Sequence, residues 1–131
     1  MFISTRRIVK ADIDSFGHVN NAVYLEIFEQ ARWDALKPNG LDLAKMQQMG
    51  IGSVIVDIHL KFLHEVKLHD EVKIHTQGSY HKGKTFQVHQ ELFKDDVLSA
   101  QAEFIMVFFD LNARKAILPN DELLALYNLK P

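Results

Sequence analysis

Several side chains with hydrolytic chemistry lie close together before a long apolar segment. They belong to the stretch ADIDSFGHVNNAVYLEIFEQARWDAL, Ala11 to Leu36, in which Asp14, His18 and Asn21 are the candidates. A carboxylate beside the unpaired N–H groups of a helix N-terminus can hydrolyse a carbonyl compound, because those N–H groups stabilise an oxyanion. The carboxylate either attacks the carbonyl carbon or activates water.

A thioester is the carbonyl compound that best suits this pair of groups. A thiol has a pKa of about 8.5 and leaves as a thiolate, so no strong general acid is needed, as it is for an amide. Serine chemistry is not an alternative, because no serine of the chain lies in a G-x-S-x-G turn.

The same polar residues also have structural interpretations. Asp14 is suited to an Asx turn, in which its side chain accepts a nearby backbone N–H. His18 either orients Asp14 or water, or bonds to the loop backbone. Asp12 is interpreted as a solvated loop acid. Glu29 either takes part in catalysis or forms an ion pair with Arg32 on the next turn of the helix.

The segment that follows is predicted to be a helix. Asn20 is a suitable N-cap, and the residues after it are apolar on nearly every side of the first two turns. Such a helix is expected to be buried, with the N–H groups of its first turn, Asn20–Ala22, as the polarising donors. Pro38 and Gly40 end the helix, and a second short helix is predicted over Leu41–Met49.

The rest of the chain alternates with the two-residue period of half-buried strands. Four strands joined by tight antiparallel connections are predicted, in SVIVDIHLKFLH, DEVKIHTQGSY, TFQVHQELF and VLSAQAEFIMVFFDL. The buried face of the first is expected to consist of Val54, Val56, Ile58, Leu60 and Phe62. A further strand is predicted over Phe2–Lys10, and a terminal helix is expected to begin at the cap Asn120.

These elements predict an α+β fold in a single domain, residues 1–131. A curved antiparallel sheet of about five strands is expected to wrap around the long buried helix. Phe104–Phe109 is apolar on both faces, so a second subunit is expected to cover part of the sheet.

Composition and charge exclude several other classes of function. The net charge is −2 and no basic run occurs, which argues against a nucleic-acid partner. The longest wholly apolar run is far shorter than the roughly 18 residues of a membrane span. The chain has no cysteine, and its histidines are scattered over separate strands and loops, so neither a metal site nor a cofactor is predicted. The N-terminus has no apolar signal segment, and a cytoplasmic location is therefore predicted.

The stretch DxDSFGHVNNAVYLEIFEQAR resembles the signature of hot-dog-fold thioesterases of the 4-hydroxybenzoyl-CoA thioesterase type. The form HVNN…Y…FE.AR followed by ARWDAL is typical of the bacterial long-chain acyl-CoA thioesterase branch and is similar to plant acyl-ACP thioesterases. The resemblance runs from roughly Ile3 to Leu126 and includes VIVDIHLKFLHEVKLHDEVKI and AQAEFIMVFFDLNARKA.

This resemblance implies the hot-dog fold and hydrolysis of a medium- to long-chain fatty acyl-CoA. It also implies a homodimer or homotetramer with the active site at the subunit interface. The family's catalytic aspartate falls on Asp14 and its polarising helix N-terminus on Asn21, while His18 and Glu29 match residues that some branches use. The alternative on the same fold is a non-catalytic module that binds acyl-CoA or an acyl-carrier protein.

Further residues are predicted to bind the substrate. Gly17 and Tyr24 belong to the same motif and are assigned to substrate contact. The CoA phosphates are expected to meet the turn SYHKGKT, where Lys82 and Lys84 flank Gly83, and the alternative is an exposed hairpin turn.

Two positions depart from the family pattern. Glu65 stands where many relatives carry a proline, which affects the geometry of its loop. Phe16 stands where acyl-ACP relatives carry a catalytic asparagine, which argues against an acyl-ACP substrate. Phe86, Phe104 and Met106 either line an acyl tunnel or belong to the core.

Overall fold

One long helix and a six-stranded sheet make up most of the computed structural model, which describes residues 1–129. The helices are α1 (Asn21–Leu36), α2 (Leu43–Met49) and α3 (Asp121–Leu126), with 3-10 turns at Lys10–Asp12 and Lys37–Asn39. The strands are β1 (Phe2–Arg7), β2 (Ile51–Phe62), β3 (Glu71–Ser79), β4 (Thr85–Lys94), β5 (Val97–Asp110) and β6 (Lys115–Ala116). The sequence predicted all of these elements except the 3-10 turns and β6.

The single domain over residues 1–131 stays a prediction, and its last two residues lie outside the described range. No helix within that range is long and apolar enough to cross a membrane.

The strand order in the sheet is β1-β3-β4-β5-β2, with β6 paired to β5. Tight turns join β3 to β4 and β4 to β5, as predicted, and Asp95 and Asp96 both have the positive φ that a two-residue hairpin turn requires. The predicted tight connection between β2 and β3 is wrong, because β2 lies beside β5 at the edge of the sheet. Alternation identifies a strand, but it does not identify the strand's partner.

The apolar face of β2 is exposed in the single chain. Val54 and Ile58 are each 41% exposed and Val56 is 59% exposed, although the sequence predicted that all three face the core. The predicted strand is therefore confirmed, whereas the predicted burial of this face is wrong for the single chain.

The described residues form two compact units. The first consists of residues 1–35, 60–76 and 90–102, and the second of residues 36–59, 77–89 and those from 103 onward. The second unit is built on an aromatic cluster in which the Phe108 ring lies 4.6 Å from Phe86 and 5.3 Å from Tyr127, between ring centroids. Burial raises the pKa of Tyr127. Phe86, Phe104 and Met106 are all buried, as core residues are.

Helix α1 of the first unit buries one stripe rather than its whole surface. The buried stripe consists of Tyr24, Ile27, Phe28, Ala31 and Ala35, which recur at helical spacing. Glu26, Glu29 and Gln30 lie on the exposed side. The helix was predicted to be buried because it is apolar on nearly every side of its first two turns, and in the single chain it is only partly buried. Polar side chains lie on the exposed face of α1. The apolar residues in the first two turns make this face difficult to recognise in the sequence.

A single buried amide joins α1 to the sheet. Gln90 is fully buried, and its Nε2 donates to the Phe28 carbonyl at 2.9 Å and to Thr76 Oγ1 at 3.0 Å. Its Oε1 accepts from Arg32 Nη1 at 3.0 Å. Burial lowers the Arg32 pKa to about 10, against the opposing charge of Glu29. Because every hydrogen-bonding group of the Gln90 amide is used, this network fixes the rotation of α1 against β3 and β4.

Asp70 anchors the loop that follows β2. Its Oδ2 accepts from the Lys67 N–H at 2.7 Å and pairs with Lys94 Nζ at 3.0 Å. Burial opposes ionisation of Asp70, but the Lys67 hydrogen bond and the Lys94 charge outweigh it and lower the Asp70 pKa. The Asp70 carbonyl also accepts the Ile8 N–H at 2.8 Å, which attaches this loop to the end of β1.

The substitution Gln90→Leu is expected to lower the free energy of unfolding by about 1–3 kcal/mol, because it removes the partner of a buried hydroxyl and an acceptor for Arg32. The midpoint of urea unfolding measures this change. Gln87→Leu is the matched control: Gln87 is exposed on the same strand, and an effect within about 0.5 kcal/mol is expected. Equal stability of the two variants would contradict the proposed importance of the Gln90 network.

The substitution Asp70→Asn removes the charge that pairs with Lys94, and a loss of about 1 kcal/mol is expected at pH 7. The Asp70 pKa is lower in the folded than in the unfolded chain. The carboxylate therefore stabilises the fold above the usual aspartate pKa of about 3.9, and this stabilisation is lost as the pH falls through the folded-state pKa. Urea unfolding at pH 7 and at about pH 3 should show the difference between variant and wild type shrinking in acid. A difference that stays constant contradicts this role.

Candidate active site

Asp14 lies in a loop that closes on itself before α1. Ile13 and Val19 form an isolated antiparallel bridge, and the Asp14 N–H donates to the His18 carbonyl at 3.0 Å. The Gly17 N–H donates to the Asp14 carbonyl at 3.1 Å, and Gly17 has a φ of +87°, which glycine adopts without steric cost. The closed loop brings the side chains of Asp14 and His18 next to each other.

The two carboxylate oxygens of Asp14 have different surroundings. Oδ1 accepts the Phe16 N–H at 2.8 Å, which is the Asx turn that the sequence left open. Oδ2 lies 3.7 Å from His18 Nδ1, too far for a hydrogen bond but close enough for electrostatic attraction to a protonated ring. The turn therefore holds one oxygen in place and leaves the other without a hydrogen bond, on a side chain that is 20% exposed.

A second segment of the same unit holds the Asp14 loop. The Val19 N–H donates to the Val66 carbonyl at 3.0 Å, and His18 forms an antiparallel bridge with Lys67. Val66 is fully buried, and Asp70 anchors the segment a few residues later. The backbone of His18 is thus fixed on both sides, while its ring faces Asp14.

Asp12 is a structural residue, and its interpretation as a solvated acid is wrong. It is only 5% exposed, its Oδ1 accepts from Arg6 Nη2 at 2.8 Å, and its Oδ2 accepts the Val9 N–H at 3.0 Å. Its carbonyl accepts the Asn20 N–H at 3.0 Å. The chain reversal that brings Arg6 to Asp12 is not visible in the spacing of the sequence. Asp14 is consequently the accessible carboxylate of the two.

Helix α1 begins at Asn21, and Asn20 is its N-cap, as predicted. The Ala22 N–H donates to Asn20 Oδ1 at 2.9 Å, and the Val23 N–H donates to the Asn20 carbonyl at 3.0 Å. The Asn21 N–H makes no hydrogen bond within residues 1–129. The first turn is exposed in the single chain, whereas burial was predicted. An unpaired N–H at the positive end of a helix dipole is suited to an anionic oxygen.

Tyr24 lies one turn into α1 on its buried side. Its ring packs edge-on against Phe62, with 5.0 Å between the ring centroids. Burial raises the pKa of Tyr24, and the charge of Glu65 adds to this effect. Glu65, the position that departs from the family pattern, therefore acts electrostatically on a residue of the motif.

Glu29 is not brought to the Asp14 loop within the chain. It lies on the exposed side of α1, two turns after Asn21 and about 12 Å further along the axis, from the rise per residue of an α-helix. Its charge raises the Arg32 pKa, which agrees with the electrostatic pairing that the sequence left open.

Lys82, Gly83 and Lys84 belong to the second unit and form the exposed turn between β3 and β4. Gly83 has a φ of +82°, and its carbonyl accepts the Tyr80 hydroxyl at 2.9 Å. The hairpin-turn interpretation is thus confirmed, and contact with CoA phosphates stays a prediction. Among the described residues, no group of three or more His, Cys, Asp or Glu side chains is placed to hold a metal ion.

The sequence did not reveal two features of the site. The bridge between His18 and Lys67 joins segments far apart in the chain, so no local pattern indicates it. Phe16 is 83% exposed, and its ring stacks on His18 with 6.2 Å between centroids and an angle of 15° between the planes. An aromatic residue before a glycine in a polar loop is the only signal of this exposure that the sequence offers.

Comparisons with known proteins identify the family. A family model described as the thioesterase-like superfamily matches residues 8–126. The long-chain acyl-CoA thioesterase FadM of Escherichia coli is 34% identical over 113 residues, which cover 85% of this chain and 85% of FadM. The structure of YbaW, a probable thioesterase from Escherichia coli, has a TM-score of 0.83 at 29% identity and covers 96% of each chain.

A crystal structure of a hypothetical protein from Aquifex aeolicus has a TM-score of 0.89 at 24% identity, covering 97% of this chain and 99% of that one. At this identity the likeness concerns the fold alone. The predicted hot-dog fold, with its antiparallel sheet and long helix, is confirmed. The predicted class of enzyme, a thioester hydrolase, is confirmed as well, and the chain belongs to the thioesterase-like superfamily.

Proposed function

We propose that this chain hydrolyses acyl-CoA thioesters, with Asp14 as the catalytic carboxylate and the Asn21 N–H as the oxyanion donor. The observation that carries the proposal is Oδ2 of Asp14, which the Asx turn leaves without a hydrogen bond beside His18. The unpaired N–H of Asn21 supplies the second group that the chemistry needs. The likeness to FadM, a long-chain acyl-CoA thioesterase, supports a medium- to long-chain fatty acyl group.

In the first route, Asp14 acts as a general base. It takes a proton from water as the water oxygen attacks the thioester carbonyl carbon, and the Asn21 N–H holds the resulting oxyanion. Collapse of this intermediate breaks the carbon–sulfur bond. The CoA thiolate, with an ordinary thiol pKa of about 8.5, leaves and takes up a proton. The products are the free fatty acid and CoA.

In the second route, Asp14 attacks the carbonyl carbon directly and expels the CoA thiolate. Water then opens the resulting anhydride, which restores Asp14 and releases the acid. Both routes consume one water molecule and use the same oxyanion donor. In both, His18 is the side chain beside the reacting carboxylate, with Nδ1 3.7 Å from Oδ2.

Other residues are proposed to bind the substrate. Gly17 has no atom within 4 Å of the position that a Cβ would occupy, so a substrate can approach its backbone. Tyr24, near the start of α1, is assigned a second contact with the substrate. The exposed turn of Lys82, Gly83 and Lys84 is assigned to the CoA phosphates.

We further propose a homodimer or homotetramer in which a second copy covers β2 and completes the site. The exposed face of Val54, Val56 and Ile58 supports this assembly, because an apolar edge strand favours association. The catalytic role proposed for Glu29, on the open side of α1, also requires the approach of a second subunit. A cytoplasmic location is proposed from the sequence.

The substitution Asp14→Asn is expected to lower kcat/KM at least ~100-fold, because it removes the base or nucleophile. Thiol release from a panel of acyl-CoAs measures the change. Asp96→Asn is the matched control: Asp96 lies in an exposed turn at a φ of +63°, which asparagine adopts readily, and unchanged activity is expected. Full turnover by folded Asp14→Asn would contradict the catalytic role of Asp14. Tight binding of acyl-CoA by the wild type, without turnover, would favour the non-catalytic binding module.

The substitution Val56→Lys places a charge on the exposed face of β2 and is expected to turn the wild-type dimer or tetramer into a monomer with reduced thioesterase activity. Light scattering at micromolar concentration measures the assembly. Leu118→Lys is the control, because Leu118 is an exposed apolar residue of the same chain outside β2. A monomeric wild type contradicts the proposed interface.

A further inference from the structure

We propose that the Phe16 ring contacts the acyl chain beside the thioester and so determines which acyl groups are hydrolysed fast. This inference rests on the proposed function and specifies one contact of the same site. Phe16 is 83% exposed, more than any other large apolar side chain among residues 1–129. A phenyl ring in that position makes little contribution to the stability of the single chain, so its contribution arises when something covers it.

Phe16 contacts both polar groups of the site, Asp14 through its backbone and His18 through its ring. The Phe16 N–H donates to Asp14 Oδ1 at 2.8 Å, and the ring lies nearly parallel to that of His18. A molecule whose reacting carbonyl is near Asp14 Oδ2 therefore lies beside the His18 ring, on which the Phe16 ring stacks. Gly17, with its open surroundings, leaves access to this side of the loop.

The chemistry of the ring favours the acyl chain over the CoA part of the substrate. A phenyl ring neither donates nor accepts a conventional hydrogen bond. CoA carries amides and phosphates, which need polar partners, whereas a fatty acyl chain beyond its carbonyl consists of methylene groups. Methylene groups over the ring remove apolar surface from water on both sides of the contact.

Binding of an acyl chain over the Phe16 ring also affects the neighbouring side chains of Asp14 and His18. Covering Phe16 excludes water from the neighbourhood of Asp14 and His18, which strengthens the electrostatic interactions of the carboxylate with the groups around it. An acetyl group is too short to cover the ring. Acyl groups of eight carbons or more are therefore expected to gain from Phe16, and an acetyl group is not.

The experiment measures kcat/KM of Phe16→Ser and Phe16→Leu on acetyl-, octanoyl- and hexadecanoyl-CoA. Phe16→Ser should lower kcat/KM roughly 10- to 100-fold for the two longer substrates and less than about threefold for acetyl-CoA. Phe16→Leu should recover most of the loss, because it keeps an apolar side chain. Leu118→Ser, which truncates another exposed apolar residue, should leave all three values unchanged.

A second measurement does not depend on turnover. The Kd of hexadecanoyl-CoA, measured by titration calorimetry in the Asp14→Asn background, should rise roughly tenfold or more on adding Phe16→Ser. If Phe16→Ser weakens binding while the wild type hydrolyses no acyl-CoA, the proposed function fails and the contact stands. If Asp14→Asn abolishes turnover while Phe16→Ser changes neither kcat/KM nor Kd, only the contact fails.

Three further outcomes overturn the inference. If Phe16→Ser lowers kcat/KM equally for all three substrates, the ring contacts the CoA part or positions Asp14 instead. A change of oligomeric state in Phe16→Ser, seen by light scattering, assigns the ring to a contact between subunits. Absence of acyl-CoA binding by the wild type removes both the contact and the proposed function.

Discussion

Asp12 joins the end of β1 to the start of α1 through its carboxylate and its backbone carbonyl. Its two oxygens bind the Arg6 guanidinium and the Val9 N–H, and its backbone carbonyl receives the N–H of the helix cap Asn20. Loss of this buried carboxylate leaves Arg6 and a backbone N–H without a partner, which costs far more than an exposed ion pair contributes. The position of the helix N-terminus depends on this junction, and so does the loop that carries Asp14.

Two carboxylates separated by one residue thus have opposite environments. Asp12 is buried with both oxygens engaged, whereas Asp14 has one oxygen in an Asx turn and one beside His18. The buried carboxylate fixes the backbone, so the accessible one can be held without using both of its oxygens for structure. Gln90 has the corresponding effect at the middle of α1, where its amide sets the rotation of the helix. The two anchors together define where the first turn of α1 lies and which side of the helix stays open.

The features that could be predicted from the sequence are those set by neighbouring residues. Asn20 is recognisable as a cap because it precedes an apolar run, and the Asp95–Asp96 turn because only three residues, Lys94 to Asp96, separate two alternating segments. The Asx turn of Asp14 is equally local. The partner of β2 and the bridge between His18 and Lys67 depend on chain segments distant in sequence, which leave no periodic pattern. The burial of Asp12 by Arg6 joins residues only six positions apart, but it depends on a chain reversal that no periodic pattern indicates. The exposure of α1 and β2 was mispredicted because apolar residues indicate that a surface favours burial from water. They do not indicate whether the same chain buries it.

The place of β2 at the edge of the sheet also bears on how the chain folds during synthesis. Within residues 1–129 its only neighbour in the sheet is β5, the last long strand to be synthesised. Until β5 is made, β2 has no strand to pair with, and its valines and isoleucines stay open to other chains. Pairing between strands so distant in sequence is slow, because the intervening loop must close before any contact forms. The interval between the synthesis of β2 and that of β5 is therefore when a nascent chain most needs protection from aggregation.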